Sequence, residues 1–120
     1  MPAALPLRRI LFVCRQNRVR SATAERLFCK RPDLEVRSAG TSADAMVRVT
    51  PRMLEWADLI VIMDDDQRRA IAEMFPRHPA IPRLVCLQIP DEFTFLQPEL
   101  VALLEERVPP LLAESQPASR

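Results

Sequence analysis

Four short apolar runs, each followed by a stretch suited to a helix, constrain this fold more than any other feature. The runs lie at 9–13, 34–39, 59–63 and 83–87. Branched and aromatic residues crowd the first, the second alternates, and the third is the most hydrophobic. Leu59, Ile60, Val61, Ile62 and Met63 suit a central strand buried on both faces. Helices are expected over 21–30, 52–57, 65–75 and 98–112. Ala22, Ala24, Glu25, Arg26 and Leu27 favour the first of these, and Pro32 stops it. Thr50 and Pro51 cap and start the second, Pro76 bounds the third, and Pro98 opens the fourth. Pro109 and Pro110 make the end of the fourth irregular.

Strand and helix in regular alternation give a parallel sheet with helices on both faces. The expected class is α/β: a single domain, a four-stranded parallel sheet flanked by helices in flavodoxin-like layers, strand order 2-1-3-4. The first strand then lies inside the sheet, and the loop after it sits where strand order reverses, the place such sheets bind ligands. A chain of 120 residues suits one domain, expected over 9–113 between an N-terminal tail at 1–8 and a frayed C-terminal tail at 114–120.

That first loop has unusual chemistry. Cys14 ends the first apolar run, and Arg15, Gln16, Asn17, Arg18, Val19, Arg20 and Ser21 follow it. Backbone N–H groups of such a loop can wrap an oxyanion, and the next helix points its positive end at the same spot. Arg20 can place a planar fork on two phosphate oxygens. The same surroundings would hold Cys14 as a thiolate, the form that attacks. Ser21 can cap the helix or donate its hydroxyl proton to sulfur. Asn17 tolerates a left-handed backbone and can shape the loop.

A nucleophilic sulfur displacing an alcohol from a phosphate monoester needs a proton donor on the same sheet edge. Asp91 follows the fourth run, Glu92 is beside it, and Asp64, Asp65 and Asp66 follow the third. Topology admits all five. Phe93 and Phe95 can wall a pocket for an aromatic group or pack on the last helix. Cys29 and Cys86 fall on a helix and a strand, where core packing is expected; His78, between prolines, is expected to be exposed.

Composition narrows the class. A net charge of +1 argues against nucleic-acid binding by bulk basicity. Three widely spaced cysteines and one histidine make neither a disulfide framework nor a zinc pattern, so no metal or cofactor is expected and a reducing, cytoplasmic setting fits. No apolar run approaches membrane-spanning length.

Val13-Cys14, Arg20-Ser21, the intervening Asn17 and the following Ala24-Glu25 resemble the low-molecular-weight protein tyrosine phosphatases. The resemblance continues through 37–41, 55–58 and the Pro90-Asp91 loop, and is greatest to the compact bacterial branch. It implies Cys14 as nucleophile, Arg20 as phosphate binder, Ser21 as thiolate stabiliser, Asn17 as loop organiser and Asp91 as general acid and base. It also implies hydrolysis of phosphotyrosine or a similar aryl phosphate through a phosphocysteine, without metal. The expected partner is a phosphorylated protein or a small aryl phosphate, and the expected state a monomer or weak dimer. Three departures stand out. Gln16 replaces the family's usual glycine, Val19 its frequent second cysteine, and Glu92 the proline after the acid. Other classes compatible with the loop are an arsenate reductase, a non-catalytic phosphate- or phosphoprotein-binding module and a general thiol redox protein. The first needs further thiols near Cys14, and the last is weak without a Cys-x-x-Cys pair.

Overall fold

The computed structural model describes residues 8–114. The tails expected at 1–8 and 114–120 lie outside the described residues except at their inner ends, where Arg8 begins the first strand and Glu114 ends the last helix. Four strands, β1 (Arg8–Cys14), β2 (Leu34–Gly40), β3 (Leu59–Ile62) and β4 (Leu84–Cys86), form one parallel sheet in the order β2-β1-β3-β4. Four α-helices connect and flank them: α1 (Arg20–Phe28), α2 (Pro51–Trp56), α3 (Asp65–Met74) and α4 (Pro98–Glu114). A short 3-10 helix, Ile81–Arg83, leads into β4.

β1 is flanked on both sides by strands, so its residues feed two cores. Ile10, Phe12 and Cys14 face Ala24 and Phe28 of α1 and Leu100, Leu104 and Val108 of α4. Leu11 and Val13 face Leu54 of α2 and Ile71 of α3. The Phe12 and Phe28 rings stack with centroids 6.0 Å apart. This is the period-2 alternation of a strand buried on both faces. The chain steps from β1 to β2 on one side and to β3 on the other, so the β1–α1 loop opens at the reversal of strand order.

Several boundaries differ from expectation for identifiable reasons. α1 begins at Arg20, with Val19 as N-cap and no side-chain cap bond. Ser21 is therefore inside the helix, and its hydroxyl is not a cap. α4 passes through Pro109 and Pro110 and continues to Glu114. Val108 and Leu112 on its inner face are buried, and that packing outweighs the lost helical bonds. Cys29 lies just past the end of α1 and is exposed, so it is not a core cysteine, whereas Cys86 is half-buried and packs against the α2–α3 core. His78 is largely covered, with Nδ1 accepting from the Ala80 N–H at 3.0 Å.

Candidate active site

The site forms where β1 ends. Cys14 is 3% exposed, and two polar groups reach its sulfur. The Asn17 N–H approaches Sγ at 3.2 Å and the Ser21 hydroxyl lies 3.0 Å away. Asn17 turns the loop with φ 59°, the left-handed conformation that asparagine tolerates. Gln16 is not among the described residues with positive φ, so the missing glycine is not missed by the backbone. Asn17 Nδ2 donates to Ser21 Oγ at 2.9 Å and to Ser38 Oγ at 2.8 Å. Ser38 in turn donates to Glu25 Oε1 at 2.6 Å.

Arg20 is 2% exposed, which for a guanidinium demands partners. Its Nη1 donates to Asp64 Oδ2 at 2.6 Å and to the Ile89 carbonyl at 2.9 Å. Its Nη2 lies 3.6 Å from Asp91 Oδ2. Its Nε is buried and has no hydrogen-bond partner. One edge of the fork is thus anchored in the protein while the Nε–Nη2 edge keeps donors for an anion. That is the bidentate geometry a phosphate or carboxylate takes.

Asp64 can hold Arg20 because it is itself held. It is the N-cap of α3, and its Oδ1 accepts from the Asp66 N–H at 2.9 Å and Gln67 Nε2 at 3.1 Å. Gln67 Oε1 answers by accepting from the backbone N–H groups of Met63 and Asp64, a closed capping box. Both Asp64 oxygens are committed. Asp91, by contrast, leaves 57% of its side chain exposed and lines the same cavity as Cys14.

The cavity, about 20 Å³, is lined by Cys14, Gln16, Arg18, Val19, Arg20 and Asp91. Phe93 and Phe95 are not in its wall. Phe93 packs against the α1–α4 core, and Phe95 points to solvent at 44% exposure. Glu92 is exposed and does not line it either. Arg15 is exposed on the outer side of the loop.

A second loop, 41–49, clamps the first. The Ser42 N–H donates to the Arg15 carbonyl at 2.8 Å and the Met46 N–H to the Gln16 carbonyl at 3.0 Å. Arg18 Nη2 reaches the Asp44 carbonyl at 3.2 Å. The Ser42 hydroxyl donates to the Asp44 carboxylate and, with smaller help from Arg18 and Arg15, holds it below the usual carboxylate range. Gly40, at the start of this loop, packs where a Cβ would lie 2.6 Å from the Arg15 carbonyl oxygen and 2.9 Å from Asn17 N.

Comparison with known proteins agrees with this geometry. Residues 9–57 match the model of the low molecular weight phosphotyrosine protein phosphatase family. Over that stretch the chain is similar in sequence to this family, and its fold is that of the solved phosphatases named below. The matched stretch contains the whole Cys14–Ser21 loop and its clamp, while the Asp91 loop lies beyond it. No curated protein gives a significant sequence match.

Among solved structures, the low molecular weight protein tyrosine phosphatase SP-PTP of Streptococcus pyogenes is similar at TM-score 0.76 and 17% identity, over 93% of this chain and 95% of that one. The tyrosine phosphatase Wzb of Escherichia coli K30, solved with phosphate, gives 0.74 and 19%, over 90% and 98%. The arginine phosphatase YwlE of Geobacillus stearothermophilus gives 0.69 and 24%, over 89% and 94%.

Sequence reasoning singled out Cys14, Arg20, Ser21, Asn17 and Asp91, and the fold brings these together. It missed Ser38 and Glu25, whose only signal was membership of stretches resembling the family. It also missed Gly40 as a point of close approach and Asp64 as the anchor of Arg20, having weighed Asp64 only as an acid. Among the described residues, no cluster of histidine, cysteine and carboxylate side chains could hold a metal. No helix among them is long and apolar enough to cross a membrane.

Proposed function

We propose that this chain is a phosphatase that hydrolyses phosphotyrosine or similar aryl phosphate monoesters through a phosphocysteine. One observation carries the residue roles: buried Cys14 Sγ, the unpaired Nε of Arg20 and the carboxylate of Asp91 converge on one small cavity.

The steps follow from the atoms present. The phosphate binds the Nε–Nη2 edge of Arg20, which stabilises charge on the equatorial oxygens in the transition state. Cys14 sulfur attacks phosphorus, and the P–O bond to the leaving group breaks. Asp91, protonated, gives its proton to the departing oxygen. Asp91, now a carboxylate, takes a proton from the water that attacks the S–P bond. Phosphate leaves and the thiolate returns, received again by the Asn17 N–H and the Ser21 hydroxyl.

The mouth bears on the substrate. Arg18 stands there and no aromatic ring does. The YwlE proteins are arginine phosphatases, but a guanidinium leaving group here would meet the cation of Arg18. An oxygen ester is therefore favoured over a phosphoguanidine. The free state of all three thiols suits a reducing compartment, and we read the protein as cytoplasmic and as a monomer or weak dimer.

The test is hydrolysis of para-nitrophenyl phosphate across pH. Cys14→Ser should fall to background. Asp91→Asn should lose about 10²–10⁴-fold in kcat while still binding inorganic phosphate. Normal turnover in Cys14→Ser would sink the reading.

A further inference from the structure

We infer that Glu25 is a positioning residue for Cys14: its carboxylate fixes the sense of the hydrogen-bond chain that ends on the sulfur. The inference rests on Cys14 being the nucleophile. The chain runs from Glu25 Oε1 to Ser38 Oγ (2.6 Å), to Asn17 Nδ2 (2.8 Å), to Ser21 Oγ (2.9 Å) and to Cys14 Sγ (3.0 Å). Asn17, Ser21 and Ser38 are buried, and Glu25 is half-buried where the chain leaves the core.

Each group in the middle of this chain can be turned either way. A serine hydroxyl has one hydrogen and can accept as well as donate, and an asparagine amide can present its oxygen or its nitrogen. Two arrangements therefore satisfy the three neutral groups. In one, the Asn17 amide donates to both hydroxyls, and the Ser21 hydrogen is left for the sulfur. In the other, the amide is turned over, accepts from both hydroxyls, and takes the Ser21 hydrogen away from the sulfur. Ser21 has a competing acceptor besides, the Ala39 carbonyl at 3.3 Å.

An ionised carboxylate can only accept. Glu25 therefore obliges Ser38 to donate to it, Ser38 must then accept from Asn17, and the amide must present its NH₂ to both hydroxyls. Ser21, with its lone pair taken, turns its hydrogen to Cys14. The charge at the far end selects the arrangement that supports a thiolate, with no contact to the sulfur itself.

Glu25→Gln keeps size and packing but can donate or accept, so it removes the selection alone. The readout is the rate of Cys14 alkylation by iodoacetamide over roughly pH 5.5 to 8, above the ordinary carboxylate range and within the span in which reactive cysteines titrate. It is made on free enzyme carrying Cys29→Ser and Cys86→Ala. No substrate is present, so the result stands apart from whether aryl phosphates are hydrolysed.

Glu25→Gln should slow alkylation about two- to tenfold at the acidic end, the worth of one net hydrogen bond, and converge with the parent at the alkaline end. Ser38→Ala should do the same, and the double variant should lose little more than either single one. Removing a negative charge acts through space in the opposite direction, favouring thiolate and speeding alkylation. A rate equal to or above the parent's at acidic pH would therefore overturn the inference. So would a uniform loss at every pH, which would mark a disordered loop.

Discussion

Arg20 and Asp64 show what a single pair of residues decides. A buried guanidinium must be anchored and must also leave donors for its ligand, and the two demands fall on opposite edges of the fork. Asp64→Asn retains an oxygen for the α3 cap but turns an amide toward Arg20 Nη1. Loss of a charged hydrogen bond of this kind costs about 1.5–3 kcal/mol. We expect phosphate affinity and kcat/KM for an aryl phosphate to fall about 10–100-fold, with a clearly lowered melting temperature. Inhibition by inorganic phosphate, measured beside the kinetics, checks it. If Asp64→Asn instead loses kcat and keeps phosphate binding, Asp64 is the proton donor and Asp91 is not. The sequence placed both aspartates on the correct edge, because strand ends dictate edges. It could not separate them, because the distinction lies in which oxygens are already taken.

At the scale of elements, the alternation of strand and helix was legible almost to the residue, since period and breakers are local properties. β3 was expected over 59–63 and spans Leu59–Ile62; α3 was expected over 65–75 and spans Asp65–Met74. What was not legible depends on contacts between elements. Ser21 reads in sequence as a cap or as a partner of the sulfur, and only the contact across the loop decides between them. Pro109 and Pro110 read as making the helix end irregular, but α4 passes through both and continues to Glu114. Phe93 and Phe95 read as pocket walls or as packing on the last helix, and only the fold shows that Phe93 takes the second course.

The clamp between loop 41–49 and the phosphate loop belongs to the same class, and Gly40 is its tightest point. A methyl group there meets the backbone of Arg15 and Asn17, which cannot swing aside as a side chain can. Gly40→Ala should cost about 1–3 kcal/mol by overpacking. It should also displace the loop that seats the sulfur, so activity per folded molecule falls too. Denaturant titration with parallel kinetics checks it; an unchanged midpoint would mean that the loops have slack the structure does not show.

At the scale of the whole molecule, the sheet separates two cores that serve different ends. The α1–α4 face contains Cys14 and the packing of Phe93, so its order is shared with the site. The α2–α3 face holds Ile71, fully buried behind β1 and β3, and none of the cavity-lining residues belongs to that cluster. Stability and turnover should therefore part on this face. Ile71→Val removes one methylene and should cost about 0.5–1.5 kcal/mol. For a domain of this size each kcal/mol lowers the melting temperature by roughly 4 °C. Assayed well below that temperature, kcat and the pH profile should match the parent's, because Asp64 reaches Arg20 from the first residue of the α3 cap and not through the helix's inner face. Thermal melts and aryl phosphate kinetics on the same preparation check both halves. A loss of kcat in step with stability would mean that α3 transmits its packing through Asp64 to the guanidinium, and the two faces would then be one mechanical unit.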